Sequence, residues 1–254
     1  MKTLQFLAIT VVTVLLITAC KKDKSDQTDT RKTLLVKMTN SSGSFVYEYD
    51  QQNRLVSETF YRAATPTEMD YKETYSEFNA AGQPVKITVM GDESVASGTA
   101  MYDGQNRIVK ITYYNAASVA VSSQNFTYSG NTVEQSVRNE RTGTVSSKEV
   151  YTFNNEGNIV SREIYSISGS VVQRLTNKTF DSKKSVREFY YPVMGINLSV
   201  NNVSSSETTV TGSGQVYQFT YNNEYNEDGY PVKITTKNVT LGQESIITYG
   251  YIKK

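Results

Sequence analysis

Tyr102-Asp103-Gly104-Gln105-Asn106-Arg107-Ile108-Val109 is one of five copies of the pattern that decides the fold of this chain. Each copy has an aromatic residue, Asp or Asn, two variable residues, Gly or Asn, one variable residue, an apolar residue or Pro, and then Val. The valine always lies six residues after the Asp or Asn. The other copies begin at Tyr49, Phe78, Phe153 and Tyr225.

The polar residues of the pattern predict a tight turn. Asp or Asn favours the first turn position, because its side chain accepts a hydrogen bond from the backbone two residues on. Gly, and after it Asn, tolerates a positive φ at the fourth position. The flanking segments alternate with period two, as in Phe45-Val46-Tyr47-Glu48-Tyr49, which is typical of half-buried strands. Each copy therefore predicts strand, turn and strand, with the valine in the core.

Two further copies are degenerate. Residues 126–133 keep the aromatics around a shorter Gly130-Asn131 turn, and Phe180-Asp181 is followed by no glycine. The residue after each aromatic lies at positions 50, 79, 103, 129, 154, 181 and 226, so the last gap is longer than the others by about one unit. The Ser-, Thr-, Asn- and Gly-rich segment 190–215 fills that gap as a long loop or a degenerate hairpin, and residues 246–252 form a closing strand.

The predicted fold is all-β: an antiparallel meander of about seven β-hairpin repeats that form one large, strongly curved or barrel-like sheet. Open twisted sheets rarely exceed about ten strands without bending or closing, and seven hairpins give about fourteen. The 19 tyrosines and 9 phenylalanines supply most of the large side chains. They either fill the concave face or leave part of it open as a groove.

Composition excludes several kinds of chemistry. The 254 residues contain no histidine and a single cysteine, so no Ser-His-Asp or Cys-His nucleophile and no His/Cys zinc site can form. The net charge of +1 gives no support to a nucleic-acid partner. We therefore predict no enzyme activity, no cofactor and no metal.

Residues 4–19, near the N-terminus, form an apolar run that leads into Ile17-Thr18-Ala19-Cys20. This resembles a bacterial lipoprotein signal, which implies cleavage before Cys20 and lipidation of its thiol. The predicted organisation is a signal peptide over 1–19, the lipidated Cys20 with a flexible tether over 20–33, and a β domain over 34–254. An ordinary signal peptide with an incidental cysteine is the less favoured alternative. The predicted location is the outer membrane, lipid-anchored, on its periplasmic or cell-surface face.

Tyr49-Asp50…Asn53-Arg54-Leu55-Val56 and the copy at Tyr102 resemble the YD repeats of the RHS type, whose form is Tyr-Asp-x-x-Gly-Arg-Leu. Arg54 and Arg107 match the arginine of that form, whereas Gln83, Asn158 and Tyr230 depart from it. The resemblance covers roughly residues 44–252. As a whole the chain is similar to short hairpin-repeat lipoproteins of Bacteroidota, domains of unknown function, and this implies a coiled antiparallel sheet without implying an activity.

Aromatic residues outside the repeat are the candidates for ligand contact: Tyr61, Tyr113, Tyr114, Tyr190 and Tyr191. Adjacent tyrosines on a strand point to opposite faces, so one of each pair is expected to be exposed. The repeat aromatics themselves favour a packing role as cross-strand pairs over a carbohydrate-stacking ladder.

Acidic residues give weaker candidates. The turn residues, such as Asp50 and Asp103, offer one oxygen-bearing side chain each, too few for a tight calcium site. The neighbouring pairs Asp92-Glu93 and Glu227-Asp228 could suit a glycosidase, but sequence neighbours on a strand or turn face apart.

The predicted function is a non-catalytic, lipid-anchored cell-envelope protein that binds a glycan, a peptide or a partner protein on its curved sheet. The alternative is a structural or assembly factor of the outer membrane without a small ligand. A glycan-active hydrolase is the least favoured interpretation. The predicted partners are the membrane, through the lipid anchor, and a glycan or an envelope protein.

Overall fold

Sixteen strands make up most of the chain that the structure describes. The computed structural model describes residues 31–187, 189 and 199–254, and Lys32–Lys254 form one compact unit. The strands are β1 (Thr33–Asn40), β2 (Gly43–Tyr49), β3 (Leu55–Arg62), β4 (Met69–Phe78), β5 (Pro84–Met90), β6 (Ser97–Tyr102), β7 (Ile108–Tyr114), β8 (Ala120–Ser129), β9 (Thr132–Asn139), β10 (Val145–Phe153), β11 (Ile159–Tyr165), β12 (Val171–Lys184), β13 (Asn201–Val210), β14 (Gln215–Tyr225), β15 (Pro231–Asn238) and β16 (Gln243–Lys253).

The strands form one closed antiparallel barrel in sequence order. The first and last strands complete it, with Thr33 opposite Lys253 and Thr39 opposite Thr248. Closure leaves no unpaired sheet edge, which removes the risk of edge-to-edge association. The predicted all-β meander is confirmed, and the sheet closes. Six of the seven predicted hairpins form at their predicted turns, as β2–β3, β4–β5, β6–β7, β8–β9, β10–β11 and β14–β15. Strands β12 and β13 pair without a tight turn at Asp181, and β1 and β16 bring the described strands to sixteen.

The repeat turns have the predicted chemistry. In the first copy the Asp50 carboxylate accepts hydrogen bonds from the backbone N–H groups of Gln52 and Arg54, both at 2.9 Å. The fourth position takes the left-handed conformation in all five copies, with φ between 59° and 83°. Asn therefore replaces Gly at Asn53 and Asn106 without a change of turn geometry, because its short side chain tolerates this region.

The repeat valine is not the core residue that the sequence predicts. At the first turn Tyr49 pairs with Leu55 while Glu48 pairs with Ser57, so Val56 is the extra residue of a β-bulge. The same shift follows the turns at Asp103, Asn154 and Asn226. A bulged residue leaves the regular alternation, so the valine is half-buried. The preceding apolar residue or proline takes the buried position: Leu55, Pro84, Ile108, Ile159 and Pro231.

Tyrosine hydroxyls link neighbouring repeats through these buried positions. Tyr102 Oη donates to the Pro84 carbonyl at 2.8 Å, and Tyr128 Oη donates to the Ile108 carbonyl at 2.9 Å. The repeat arginines add a second link, because the Arg107 guanidinium lies 4.2 Å from the centre of the Tyr128 ring. Each of these tyrosines therefore donates a hydrogen bond to a backbone carbonyl of the repeat unit before it.

The degenerate copy at Asp181 does not form a tight turn. Strand β12 continues to Lys184, and β13 begins at Asn201. Part of the predicted 190–215 segment forms a hairpin, since β13 and β14 flank a turn at 211–214. Residues 190–198 lie outside the described residues. Because connections of a meander alternate between its two ends, the repeat turns share one end of the barrel with the described residues 185–187 and 199–200.

The apolar face of the sheet points inward. One continuous cluster of buried side chains includes Leu35, Tyr47, Tyr75, Ile111 and Tyr151. Strand β14 shows the alternation plainly: Tyr217, Phe219 and Tyr221 are half-buried, whereas Gln218, Thr220 and Asn222 between them are exposed. The aromatic residues that the sequence places on one face therefore line the interior. Over the described ranges, no helix is both long enough and apolar enough to cross a membrane.

Candidate functional site

A cavity of about 360 Å³ lies in the barrel interior, bounded by strands β10 to β16 and by Ser185, Val186 and Ser199. We call it the lumen cavity. Its volume falls within the ordinary range for small-molecule sites, ~300–1,000 Å³. Its described lining residues are Tyr151, Ile159, Arg162, Leu175, Asn177, Ser185, Val186, Ser199, Asn201, Asn202, Val203, Tyr221, Asn223, Ile234, Thr236, Ile247 and Tyr249.

Strand register brings these side chains to one face. Arg162 lies between Tyr151 and Leu175, its partners on the two adjacent strands. On the other side of the cavity, Ile234 pairs with both Asn223 and Ile247. Residues that pair directly across antiparallel strands project to the same side. The lining is thus a continuous patch of the inward face rather than a loop cleft.

Arg162 is the charged residue among those described on the cavity wall, and its charge is neutralised in place. Its Nη2 donates to Glu149 Oε1 at 2.7 Å and its Nε donates to Glu149 Oε2 at 2.8 Å. The Tyr151 hydroxyl donates to the same carboxylate. Burial raises the pKa of Glu149, but the bonds from Arg162 and Tyr151 and the Arg162 charge outweigh it, so the pKa lies below its usual value. The pair stays ionised and neutral overall at physiological pH.

Asn158 and Ile159 hold the start of β13 beside the cavity. Asn158 is fully buried. Its Oδ1 accepts from the Asn201 backbone N–H at 2.7 Å, and its Nδ2 donates to Asn201 Oδ1 at 3.0 Å. Ser199 Oγ accepts from the Ile159 backbone N–H at 2.9 Å. These bonds fix Ser199 and Asn201 beside the cavity, although Asn158 departs from the arginine of the YD form.

One polar atom at the cavity has no partner. Asn223 Nδ2 donates to Asp181 Oδ2 at 3.3 Å and to the Val203 carbonyl at 3.2 Å. Its Oδ1 is buried and accepts no hydrogen bond from the described residues. A buried polar atom without a partner costs about 1–3 kcal/mol. It is therefore the feature of this wall that most needs explanation.

A pair of interior carboxylates forms a second polar cluster. Glu58 and Glu73 are direct cross-strand partners on β3 and β4, and Glu73 accepts hydrogen bonds from the hydroxyls of Tyr71 and Tyr75. Glu58 is 7% exposed. Burial, and then the charge of Glu73, raise the pKa of Glu58 to about 7. The sequence patterns did not indicate this pair. A signal was present, because Glu58 lies two residues from Phe60 and Glu73 two residues from Tyr71, so each shares the face of an inward aromatic residue.

The tyrosines predicted to contact a ligand lie on both faces. Tyr113 faces inward and packs on the core, and burial, with a smaller effect of the Glu73 charge, raises its pKa. Tyr114 and Tyr61 face outward and are half-buried. Tyr190, Tyr191 and the predicted lipidation site Cys20 lie outside the described residues. The described candidates are not brought together into one site, and none of them lines the lumen cavity.

The acidic pairs noted in the sequence are turn residues. Asp92 accepts from the backbone N–H groups of Ser94 and Val95 in an exposed loop. Glu227 and Asp228 both bind the Lys253 ammonium, at 2.6 and 3.3 Å. Over the described part of the chain, no group of three or more acidic or Cys residues is placed to hold a metal ion. Glu227 and Asp228 therefore have a structural partner in Lys253, whereas Asp92 and Glu93 line an open surface hollow of about 440 Å³ beside Arg62 and Asp70.

The outward face is polar and charged. Lysines on outward positions pair with acids on a nearby strand, as in Lys148–Glu134 at 2.6 Å and Lys233–Glu224 at 2.8 Å. Exposed apolar residues such as Met101 and Ile246 also lie on this face. A barrel that spans a membrane has the opposite arrangement, with an apolar band outside and polar residues inside. The outer surface of this barrel is therefore suited to water.

Comparison with known proteins supports the fold. No family model matches the chain, and no curated protein matches it. A porin-like protein from Bacteroides vulgatus is similar over 87% of this chain and 99% of that one, with a TM-score of 0.56 and 14% identity. A porin-like protein from Bacteroides uniformis aligns over 86% and 96% with a TM-score of 0.40 and 12% identity. The first similarity supports the fold. The second is weaker, as its lower TM-score shows.

Proposed function

We propose that this chain is a non-enzymatic envelope protein, tethered by a lipid on Cys20, that holds a ligand inside its barrel. The observation that carries the proposal is the lumen cavity: a pocket of about 360 Å³ on the inward face, walled by amides, tyrosines and aliphatic side chains. Pockets of this size with a few convergent polar groups are the usual form of a ligand site.

The chemistry of the wall supports binding rather than catalysis. The described lining residues include no aspartate, glutamate or histidine. Of the tyrosines on the wall, Tyr151 and Tyr249 have a pKa raised by burial, which makes them poor general bases at neutral pH. Arg162 is held by Glu149. The pair Glu58 and Glu73 lies on β3 and β4, whereas the cavity is bounded by β10 to β16.

The polarity of the barrel supports a tethered rather than an embedded protein. The outward strand positions carry lysine, glutamate, threonine and asparagine, which do not enter hydrocarbon at low cost. A lipid on Cys20 would then supply the membrane attachment, and the similarity of the repeats to lipoproteins of Bacteroidota agrees with this location.

The experiment fills the cavity and asks what the protein carries. Full-length chain is purified from its native envelope, and native mass spectrometry detects bound small molecules. Thr236→Phe projects a ring into the cavity, whereas Thr235→Phe places the same ring on the outward face of the same strand. We expect a bound ligand in the wild type and in Thr235→Phe, and its loss in Thr236→Phe.

Two results contradict the proposal. A ligand retained by Thr236→Phe lies outside the lumen cavity. No ligand in any of the three proteins, together with stoichiometric capture of one membrane protein, favours the structural or assembly role.

A further inference from the structure

Three asparagines at the lumen cavity have their amide nitrogens committed to the protein. Asn177 Nδ2 donates to the Ile159 carbonyl at 2.8 Å. Asn202 Nδ2 donates to the Lys184 carbonyl at 2.9 Å. Asn223 Nδ2 donates to the Val203 carbonyl and the Asp181 carboxylate. Each of these NH₂ groups therefore satisfies an acceptor of the fold itself.

These partners decide which way each amide points. A carbonyl or an ionised carboxylate can only accept, so it must face the NH₂ group rather than the oxygen. A flipped amide would set two acceptors against each other. The oxygen of each side chain is consequently the end left for another donor. At Asn223 this oxygen is buried and without a partner among the described residues.

The cavity therefore offers acceptors and no net charge. Its described charged residue, Arg162, is bound by both oxygens of Glu149. An anionic ligand would find no unpaired cation on the described wall, and a cationic one would find no unpaired carboxylate. Burying either charge without a partner is costly. A neutral ligand that donates hydrogen bonds is the chemical complement of this wall.

The remaining wall is apolar. Ile159, Leu175, Ile234 and Ile247 line the cavity with the rings of Tyr221 and Tyr249. A ligand that fits must present hydroxyl groups on one side and C–H surface on another, as a sugar ring does. We propose that the lumen cavity binds a neutral saccharide of one or two rings, whose hydroxyls donate to the amide oxygens of Asn177 and Asn202. This rests on the lumen being the ligand site.

The test measures binding of charge-matched probes to the purified full-length chain by titration calorimetry. The neutral probes are mono- and disaccharides of glucose, galactose, mannose, xylose and N-acetylglucosamine. The charged probes are glucuronate and glucosamine. We expect at least one neutral probe to bind and both charged probes to bind weakly or not at all. Binding only of a charged probe, or of no probe, overturns the inference.

Variants locate the contact. Asn177→Leu keeps the side-chain shape and removes the oxygen, and we expect about a tenfold loss of affinity, equivalent to one hydrogen bond. Asn222→Leu, on the outward face of β14, should bind as the wild type does. If Asn177→Leu does not fold, Asn202→Leu makes the same test. Unchanged affinity in the variant that folds overturns the inference.

The outcome also separates this inference from the proposed function. If native mass spectrometry finds an anion or an amine whose binding is lost in Thr236→Phe, the proposed function stands and the saccharide assignment falls. If nothing occupies the cavity, both fall.

Discussion

At the scale of single residues, the fourth turn position shows how backbone conformation fixes sequence. Gly229 has a φ of +83°, and an added Cβ would meet no atom within 4 Å. A substitution there is therefore opposed by backbone strain alone and not by a clash. Gly104 lies in the variable part of another copy, where a Cβ also meets nothing and φ is not positive.

Gly229 and Gly104 both have room for a Cβ and differ in the sign of φ, so alanine substitutions at the two positions isolate the effect of backbone strain. Gly229→Ala should lower the free energy of unfolding by about 1 kcal/mol, because an L-residue strains in the left-handed region. Gly104→Ala should leave it unchanged or slightly raised. Urea denaturation of both variants measures the difference. Equal stabilities would show that the turn does not hold its left-handed residue in solution.

Glu58 makes the stability of the barrel depend on pH. Burial and Glu73 raise its pKa from 4.5 to about 7, so the folded barrel binds this proton more tightly than the unfolded chain does. Its contribution to stability is full below the unfolded pKa and is lost as the pH rises through the folded pKa. The groups that face it include Glu73, Tyr49, Tyr71 and Tyr75.

Glu58→Gln should therefore stabilise the barrel at pH 8 by roughly 2–3 kcal/mol and have little effect near pH 4. Unfolding midpoints at the two pH values measure this difference. Glu224→Gln, an exposed outward residue, is the control and should show neither effect. A Glu58→Gln variant less stable than the wild type at pH 8 would contradict the assignment of Glu58 as a destabilising buried charge.

At the scale of elements, the hairpin repeat was predictable because its signals are local. The turn chemistry of Asp50 and Asn53, and the alternation of the flanking residues, are written within a few positions. The bulge was not predictable from them. Val56 has the apolar side chain of a core residue, and only the pairing of Tyr49 with Leu55 removes it from the inward face.

The lumen cavity could not be predicted for a related reason. Its walls combine residues far apart in sequence, such as Tyr151 and Tyr249, whose approach depends on closure of the barrel. The degenerate copy at Asp181 was a signal that the pattern changes there. It did not indicate that β12 continues to Lys184 and that Asp181 becomes a hydrogen-bond acceptor for Asn223.

A substitution at Asn158 tests how firmly the start of β13 is held. It is fully buried and binds both the backbone and the side chain of Asn201. Asn158→Ala should lower the free energy of unfolding by about 2–3 kcal/mol, since it leaves buried groups without partners. Asn222→Ala, on the outward face, should have an effect below about 0.5 kcal/mol. Thermal or urea unfolding compares them, and equal stabilities would contradict the role of the Asn158 network.

At the scale of the whole molecule, the polarity of the two faces of the barrel limits how it can be attached to the envelope. The similarity to a porin-like protein concerns the fold. Here the tyrosines and aliphatic residues point inward, and ion pairs such as Lys148–Glu134 lie outside. A barrel with this arrangement can hold a ligand inside, and its polar outward face agrees with the proposed attachment through a lipid on Cys20.

The most direct test is the behaviour of Cys20→Ala, which removes the predicted lipidation site and leaves the barrel intact. We expect this variant to leave the membrane fraction and to sediment as a monodisperse species in detergent-free buffer, while the wild type stays with the membrane. If Cys20→Ala remains in the membrane after an alkaline wash, or is soluble only in detergent, the barrel itself is embedded in lipid, and the central claim of a water-exposed, tethered barrel is wrong.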